Sequence, residues 1–115
     1  MRAKPRLVKH VKVQRRRVVS PRIAATVRDM MLGVVRGGTG NKAALPGVDV
    51  AGKTGTAELR PTGGGAIDPK NTDAWFVAFA PAYDPKVAVA VMLVGAGQGG
   101  ATAAPVAREV LAAAL

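Results

Sequence analysis

Two almost uninterrupted apolar runs, residues 74–80 and 86–94, are separated only by Pro81-Ala82-Tyr83-Asp84-Pro85. Short apolar runs bounded by turn residues read as strands, and so short a link closes an antiparallel pair, since a parallel one needs a long crossover. Both runs are continuous rather than alternating, which predicts burial on both faces. Residues 48–58 read as a third strand, and 60–72 (Arg-Pro-Thr-Gly-Gly-Gly-Ala-Ile-Asp-Pro-Lys-Asn-Thr) as the loop that links it to the pair.

Helices flank this meander. Ser20-Pro21 is a helix start, with the hydroxyl capping an early N–H and proline at a position that needs no donor. Ile23, Val27, Met30, Met31 and Val34 follow helical spacing and predict the buried face, with both methionines as core filler. Gly37-Gly38 is expected to end that helix through a left-handed cap, and residues 39–46 form a connection. The glycine-rich stretch 95–100 breaks the last strand, and a second helix is predicted over 102–115 with Val106, Val110 and Leu111 inward. Residues 6–13 read as a further strand. The fold class is α+β, an antiparallel β-sheet with flanking helices, in one domain of 115 residues.

Ala, Val and Gly dominate the apolar content, with one Trp, one Tyr and two Phe. Small side chains bury modest area each, so stability is expected to depend on a neighbour supplying more. There is no Cys, and His10 is the only histidine, which leaves no basis for a disulfide or a zinc site. No metal or cofactor is expected. The net charge is +10, and eight of the 17 Lys and Arg lie in residues 1–17. Leu7, Val8, Val11 and Val13 interleave these charges, so residues 1–19 read as a basic strand-like segment rather than a polyanion site. No apolar run is long enough to span a membrane, and the basic start lacks the apolar core of a secretory signal. Membrane attachment is expected only through chain N-terminal to this sequence.

The chemistry concentrates in Gly52-Lys53-Thr54-Gly55-Thr56-Ala57. Strand alternation sends Lys53 and Gly55 to one face and Thr54 and Thr56 to the other. Along an open edge, Lys53 supplies a positive charge for a carboxylate or a neighbouring hydroxyl. Thr54 and Thr56 can donate to the same carboxylate, and the Thr56 N–H is placed for an oxyanion. Gly52 and Gly55 leave room for an extended substrate. Residues 47–54 also satisfy the phosphate-loop pattern formally, but β-branched residues fill the loop positions and no helix follows the lysine. A lysine and two threonines on an ordinary exposed strand is the bland alternative. Trp75, beside Phe76 and Phe79, reads as core rather than as the floor of a ligand site.

Lys-Thr-Gly is a known signature of penicillin-binding proteins and class A β-lactamases, and it has company. Gly37-Gly38-Thr39-Gly40, Leu45-Pro46-Gly47-Val48, Val50-Ala51-Gly52-Lys53-Thr54-Gly55-Thr56-Ala57-Glu58, Asp73-Ala74-Trp75-Phe76-Val77-Ala78-Phe79-Ala80-Pro81 and Gly99-Gly100-Ala101-Thr102-Ala103-Ala104-Pro105-Val106-Ala107-Arg108 follow in that order. Together they resemble the C-terminal part of penicillin-binding transpeptidase domains, from about Ser20 to the end. The resemblance implies a partial transpeptidase (β-lactamase-like) fold, with residues 1–115 as the C-terminal part of a single domain. It implies a serine D,D-transpeptidase that cross-links peptidoglycan at the outer face of the cytoplasmic membrane and is acylated by β-lactams. Lys53, Thr54 and Gly55 carry over as its third motif, and Thr56 as an oxyanion and carboxylate position. Peptidoglycan stem peptide, β-lactams and the remainder of the domain are the implied partners. The family's Ser-x-x-Lys and Ser-x-Asn are absent, and the only serine, Ser20, is followed by Pro21-Arg22-Ile23, so it reads as a cap and the chain alone is expected to be inactive. Two other functions fit the residues: a non-catalytic module binding peptide carboxylates, and a basic nucleic-acid binder using residues 2–17. The second is weakened by the lack of aromatic residues there.

Overall fold

The structure, a computed structural model, describes residues 12–65 and 68–115. The strand expected over residues 6–13 lies almost wholly outside them. Helix α1 (Pro21–Arg36) leads through a 3-10 turn (Asn41–Ala43) to strand β1 (Ala51–Glu58). A second 3-10 turn (Pro69–Asn71) precedes β2 (Thr72–Ala80), and β3 (Val87–Leu93) and helix α2 (Gly99–Ala114) complete the chain. The three strands form one antiparallel sheet in the order β1-β2-β3, the meander read from the sequence. Among the described residues β1 is therefore an edge strand. No helix of the described residues is long and apolar enough to cross a membrane.

Register fixes the two faces of the sheet. Thr54 pairs with Phe76 and Phe76 with Val91, so these residues share one face. Ala74, Phe76 and Ala78 are buried there, against Ala103, Ala104, Ala107 and Leu111 of α2. Alanines at the contact let the helix lie close to the sheet, and the Phe76 ring, fully buried, fills the space that remains. A Cβ added at Gly52 would stand 2.7 Å from that ring and one at Gly40 2.9 Å, so both positions must stay small. Arg108 ties α2 down further by donating from Nε to the Ala44 carbonyl at 3.0 Å.

The ends of the elements follow local chemistry. Ser20 Oγ accepts from the Ile23 N–H at 3.3 Å and Pro21 opens the helix, as expected. The end of α1 differs from expectation. Gly37 has φ −155°, so no left-handed cap forms. Instead the Gly38 and Gly40 N–H groups both donate to the Val34 carbonyl, at 3.1 and 3.0 Å. A Cβ on Gly38 would lie 3.0 Å from that oxygen, so the glycine is required by close approach. Across the β1–β2 connection the Leu59 N–H donates to the Asn71 carbonyl at 2.8 Å. The Asn71 side chain accepts from the Arg60 N–H through Oδ1 and donates to its carbonyl through Nδ2, so the ends of the predicted loop are tied together. Between β2 and β3 the Ala80–Pro81 peptide is cis. Asp49 pairs with Arg36 at 2.9 Å and, by hydrogen bond and charge, raises the guanidinium pKa above its ordinary value.

Three expectations about burial are overturned. The inward face of α1 carries Leu32 and Val35, while Ile23, Val27 and Met30 are exposed; only Met31 of the two methionines packs against a core cluster. In α2 the buried positions are Gly99, Ala103, Ala104, Ala107 and Leu111, with Val106 and Val110 turned outward. Finally, β2 and β3 are covered on one face and not two; on the other, among the described residues, only Phe79 packs, against Leu32 and Ala51. Trp75 is 39% exposed, Val77 42% and Met92 47%, so the indole is not core among the described residues.

Candidate functional site

The outer edge of β1 is where the predicted residues meet. Thr54 and Thr56 belong to the face that α2 covers, and together with its first turn they border an open cleft of about 360 Å³. Thr39, Lys42, Gln98 and Gly100 complete its main walls. Lys53 and Gly55 lie on the opposite face, paired with Val77 and Trp75. Lys53 nevertheless curls back over the edge. Its Nζ donates to the Thr54 carbonyl at 2.9 Å and reaches Thr54 Oγ1 at 3.4 Å. Gly55 contributes space, since a Cβ there would press on the Trp75 Cβ at 3.1 Å.

The start of α2 forms the roof. A Cβ on Gly99 would collide with the Trp75 carbonyl oxygen, and one on Gly100 with the Thr39 carbonyl oxygen. Two glycines in succession therefore let the helix begin directly on the main chain of β1, β2 and the loop after α1. No side chain caps this end. A helix amino terminus carries partial positive charge, and with Lys42 and Lys53 close by it makes the cleft electropositive. No carboxylate is among its lining residues.

Thr39 Oγ1 stands 3.1 Å from Thr54 Oγ1. The cleft thus presents two strand hydroxyls, a third hydroxyl behind them, and an ammonium at the rim. Such a donor set suits an anionic, planar acceptor such as a carboxylate. Sequence reasoning found Lys53, Thr54, Gly55 and Thr56, and assigned no role to Thr39, Lys42, Gly99 or Gly100. The signal for three of these was present in the glycine doublets 37–38 and 99–100, where close main-chain approach is the physical reason for glycine at Gly38, Gly99 and Gly100.

Comparison with known proteins bears on this cleft. The family model described as "Penicillin binding protein transpeptidase domain" matches residues 1–112. The chain is 50% identical over 109 residues to the peptidoglycan D,D-transpeptidase PbpA of Mycolicibacterium smegmatis, covering 89% of this chain and 21% of that protein. Penicillin-binding protein A from M. tuberculosis, solved as a ceftriaxone acyl-enzyme complex, superposes with a TM-score of 0.70 at 45% identity, over 92% of this chain and 24% of the other. The apo transpeptidase domain of Burkholderia pseudomallei penicillin-binding protein 3 gives 0.72 at 37% identity, over 84% and 30%. The chain spans about a fifth of the length of the curated relatives it matches first.

Proposed function

We propose, since the chain belongs to the family of penicillin-binding protein transpeptidase domains, that it forms the C-terminal part of one such domain and that the free edge of β1 is one wall of its peptide cleft. The reaction is acyl transfer. A serine attacks the carbonyl of the terminal D-Ala-D-Ala peptide bond, the terminal D-Ala leaves as an amine, and an amine of a second stem peptide then takes the acyl group from the serine. A β-lactam acylates the same serine by opening its ring, with no leaving group to diffuse away. This sequence contains no Ser-x-x-Lys, so the nucleophile and its base come from another part of the protein. The assembled enzyme works on the cell wall, at the outer face of the cytoplasmic membrane.

In that reaction Thr54 and Thr56 donate to the terminal carboxylate of the stem peptide or the carboxylate of a β-lactam. Lys53, held at the rim by the Thr54 carbonyl, adds positive charge beside the reacting serine. Because that carbonyl faces the open edge, strand alternation turns the Thr56 N–H the same way, where it serves the oxyanion. The observation that carries the reading is the convergence of Thr54, Thr56 and the α2 amino end on one cleft beside Lys53. The uncovered apolar faces of the sheet, α1 and α2 are where the remainder of the domain packs.

A fluorescent penicillin tests this. The chain alone is expected to take no covalent label, and a protein that joins it to its Ser-x-x-Lys segment is expected to label. In the joined protein Lys53→Ala should slow acylation by about 10²-fold, the loss typical of one removed electrostatic partner. Covalent labelling of the chain alone, or wild-type acylation by the Lys53 variant, would refute it. The groups assigned to the carboxylate, Thr54, Thr56 and Lys53, all reside on this chain, so reversible binding of a small D-Ala-D-Ala carboxylate is expected without the serine.

A further inference from the structure

We propose that Thr39 is a positioning residue for Thr54: it holds the Thr54 side chain in one rotamer and donates to its hydroxyl, so that the Thr54 proton is directed at the ligand carboxylate. The inference rests on the reading of β1 as a carboxylate-binding wall. It concerns a residue outside the Lys-Thr-Gly strand, in the loop that follows α1.

A threonine hydroxyl has one proton to give and two lone pairs to receive. The Lys53 ammonium has donors only, so its 3.4 Å approach to Thr54 Oγ1 uses the acceptor side of that oxygen. Thr39 Oγ1, at 3.1 Å, is the other hydrogen-bond partner of Thr54 Oγ1, and in the empty cleft either oxygen can donate. A carboxylate removes that freedom because it only accepts. Thr54 must then give its proton to the ligand, and the remaining bond is satisfied only with Thr39 as donor. The result is a directed chain from Thr39 to Thr54 to carboxylate, in which each bond polarises the next.

Thr39 is also held in place for this task. The Gly100 main chain sits against the Thr39 carbonyl so closely that a Cβ there would collide with it. On either side of Thr39, the Gly38 and Gly40 N–H groups are both bonded to Val34. The loop is thus clamped between the end of α1 and the start of α2, with Thr39 facing Thr54. Thr54 is fixed in turn by its pairing with Phe76. Two threonines from segments 15 residues apart are therefore set opposite each other before any ligand arrives, which reduces the ordering that binding must supply.

The test uses this chain, isotope-labelled, in wild-type form and as Thr39→Val and Thr39→Ser. The Thr54 χ1 rotamer is read from three-bond couplings, and N-acetyl-D-Ala-D-Ala and its C-terminal amide are titrated by amide shifts. Thr39→Val is expected to let Thr54 χ1 average over rotamers and to weaken the carboxylate about fivefold, as for one neutral hydrogen bond. The amide analogue should weaken less, Thr39→Ser should restore both readouts, and the unfolding midpoint should stay put. A single unchanged Thr54 rotamer in Thr39→Val overturns the positioning role. Equal weakening of acid and amide by Thr39→Val, with no rescue by serine, overturns the directed donor chain. Absence of carboxylate binding by the wild-type chain overturns the carboxylate reading of β1, while the couplings still decide whether Thr39 sets Thr54.

Discussion

Gly99→Ala and Gly33→Ala are the same chemical change and should move stability in opposite directions. Gly33 lies inside α1, and a Cβ built there meets nothing within 4 Å. Alanine in a helix interior is favoured over glycine by about 0.8–1 kcal/mol, so Gly33→Ala should stabilise by that amount. Gly99 opens α2, where a Cβ meets the Trp75 carbonyl and the Gly55 main chain. Overpacking typically costs about 1–3 kcal/mol, and here the struck atoms belong to two paired strands that cannot rotate aside. We expect the upper half of that range, about 2–3 kcal/mol, with the start of α2 lifting off the sheet. For 115 residues, an unfolding entropy of about 2.1 cal/mol/K per residue sums to roughly 0.24 kcal/mol/K. Gly33→Ala should then raise Tm by about 4 °C and Gly99→Ala lower it by about 8–12 °C. Far-UV circular dichroism during heating, at one low protein concentration, measures both. A Gly99→Ala protein that melts at or above the wild-type temperature would show that α2 does not rest on the β1–β2 main chain.

Ser20→Ala removes the cap of α1, whose bond to the Ile23 N–H is long at 3.3 Å, so the loss should fall near the low end for caps, about 0.5–1 kcal/mol, read as a shifted urea midpoint; no shift would mean the helix start is held by other contacts. The uncovered face of β2 and β3 should make the chain self-associate at high concentration, and Val77→Thr with Met92→Gln should suppress this while changing stability by no more than about 0.5 kcal/mol. Sedimentation velocity checks it, and a monodisperse wild-type monomer at high concentration would sink the idea.

The strands of the meander and the start of α1 were legible because their signals are local, whereas α2 begins at Gly99 and not at 102 as read. Proline and aspartate around residues 81–85 mark a hairpin whatever surrounds them, and Ser20-Pro21 announces its cap in two residues. Strand alternation likewise placed Thr54 and Thr56 on one face without help from the rest of the chain. Thr39, Gly99 and Gly100 escaped because their roles come from a long-range meeting of α1's last turn, β1 and α2, which no periodicity encodes. The burial errors have another cause. In α1 the apolar residues Ile23, Val27 and Met30 form the stripe that spacing selects, yet this chain buries Leu32 and Val35 instead. The same inversion recurs where Val106 and Val110 face outward and alanines face in, and again at Trp75, Val77 and Met92. Hydrophobic period reports which residues are apolar along a face, not which neighbour covers it. Full burial of one such side chain is worth about 1.5–3 kcal/mol, so completing the burial of eight residues that are already partly covered adds on the order of 10 kcal/mol. That matches the whole net stability of an ordinary domain, about 5–15 kcal/mol. The apolar pattern is therefore scaled to a core larger than the one this chain closes around Phe76, and packing of the rest of a transpeptidase domain on these faces, as proposed, would account for the surfaces that misled the burial reading.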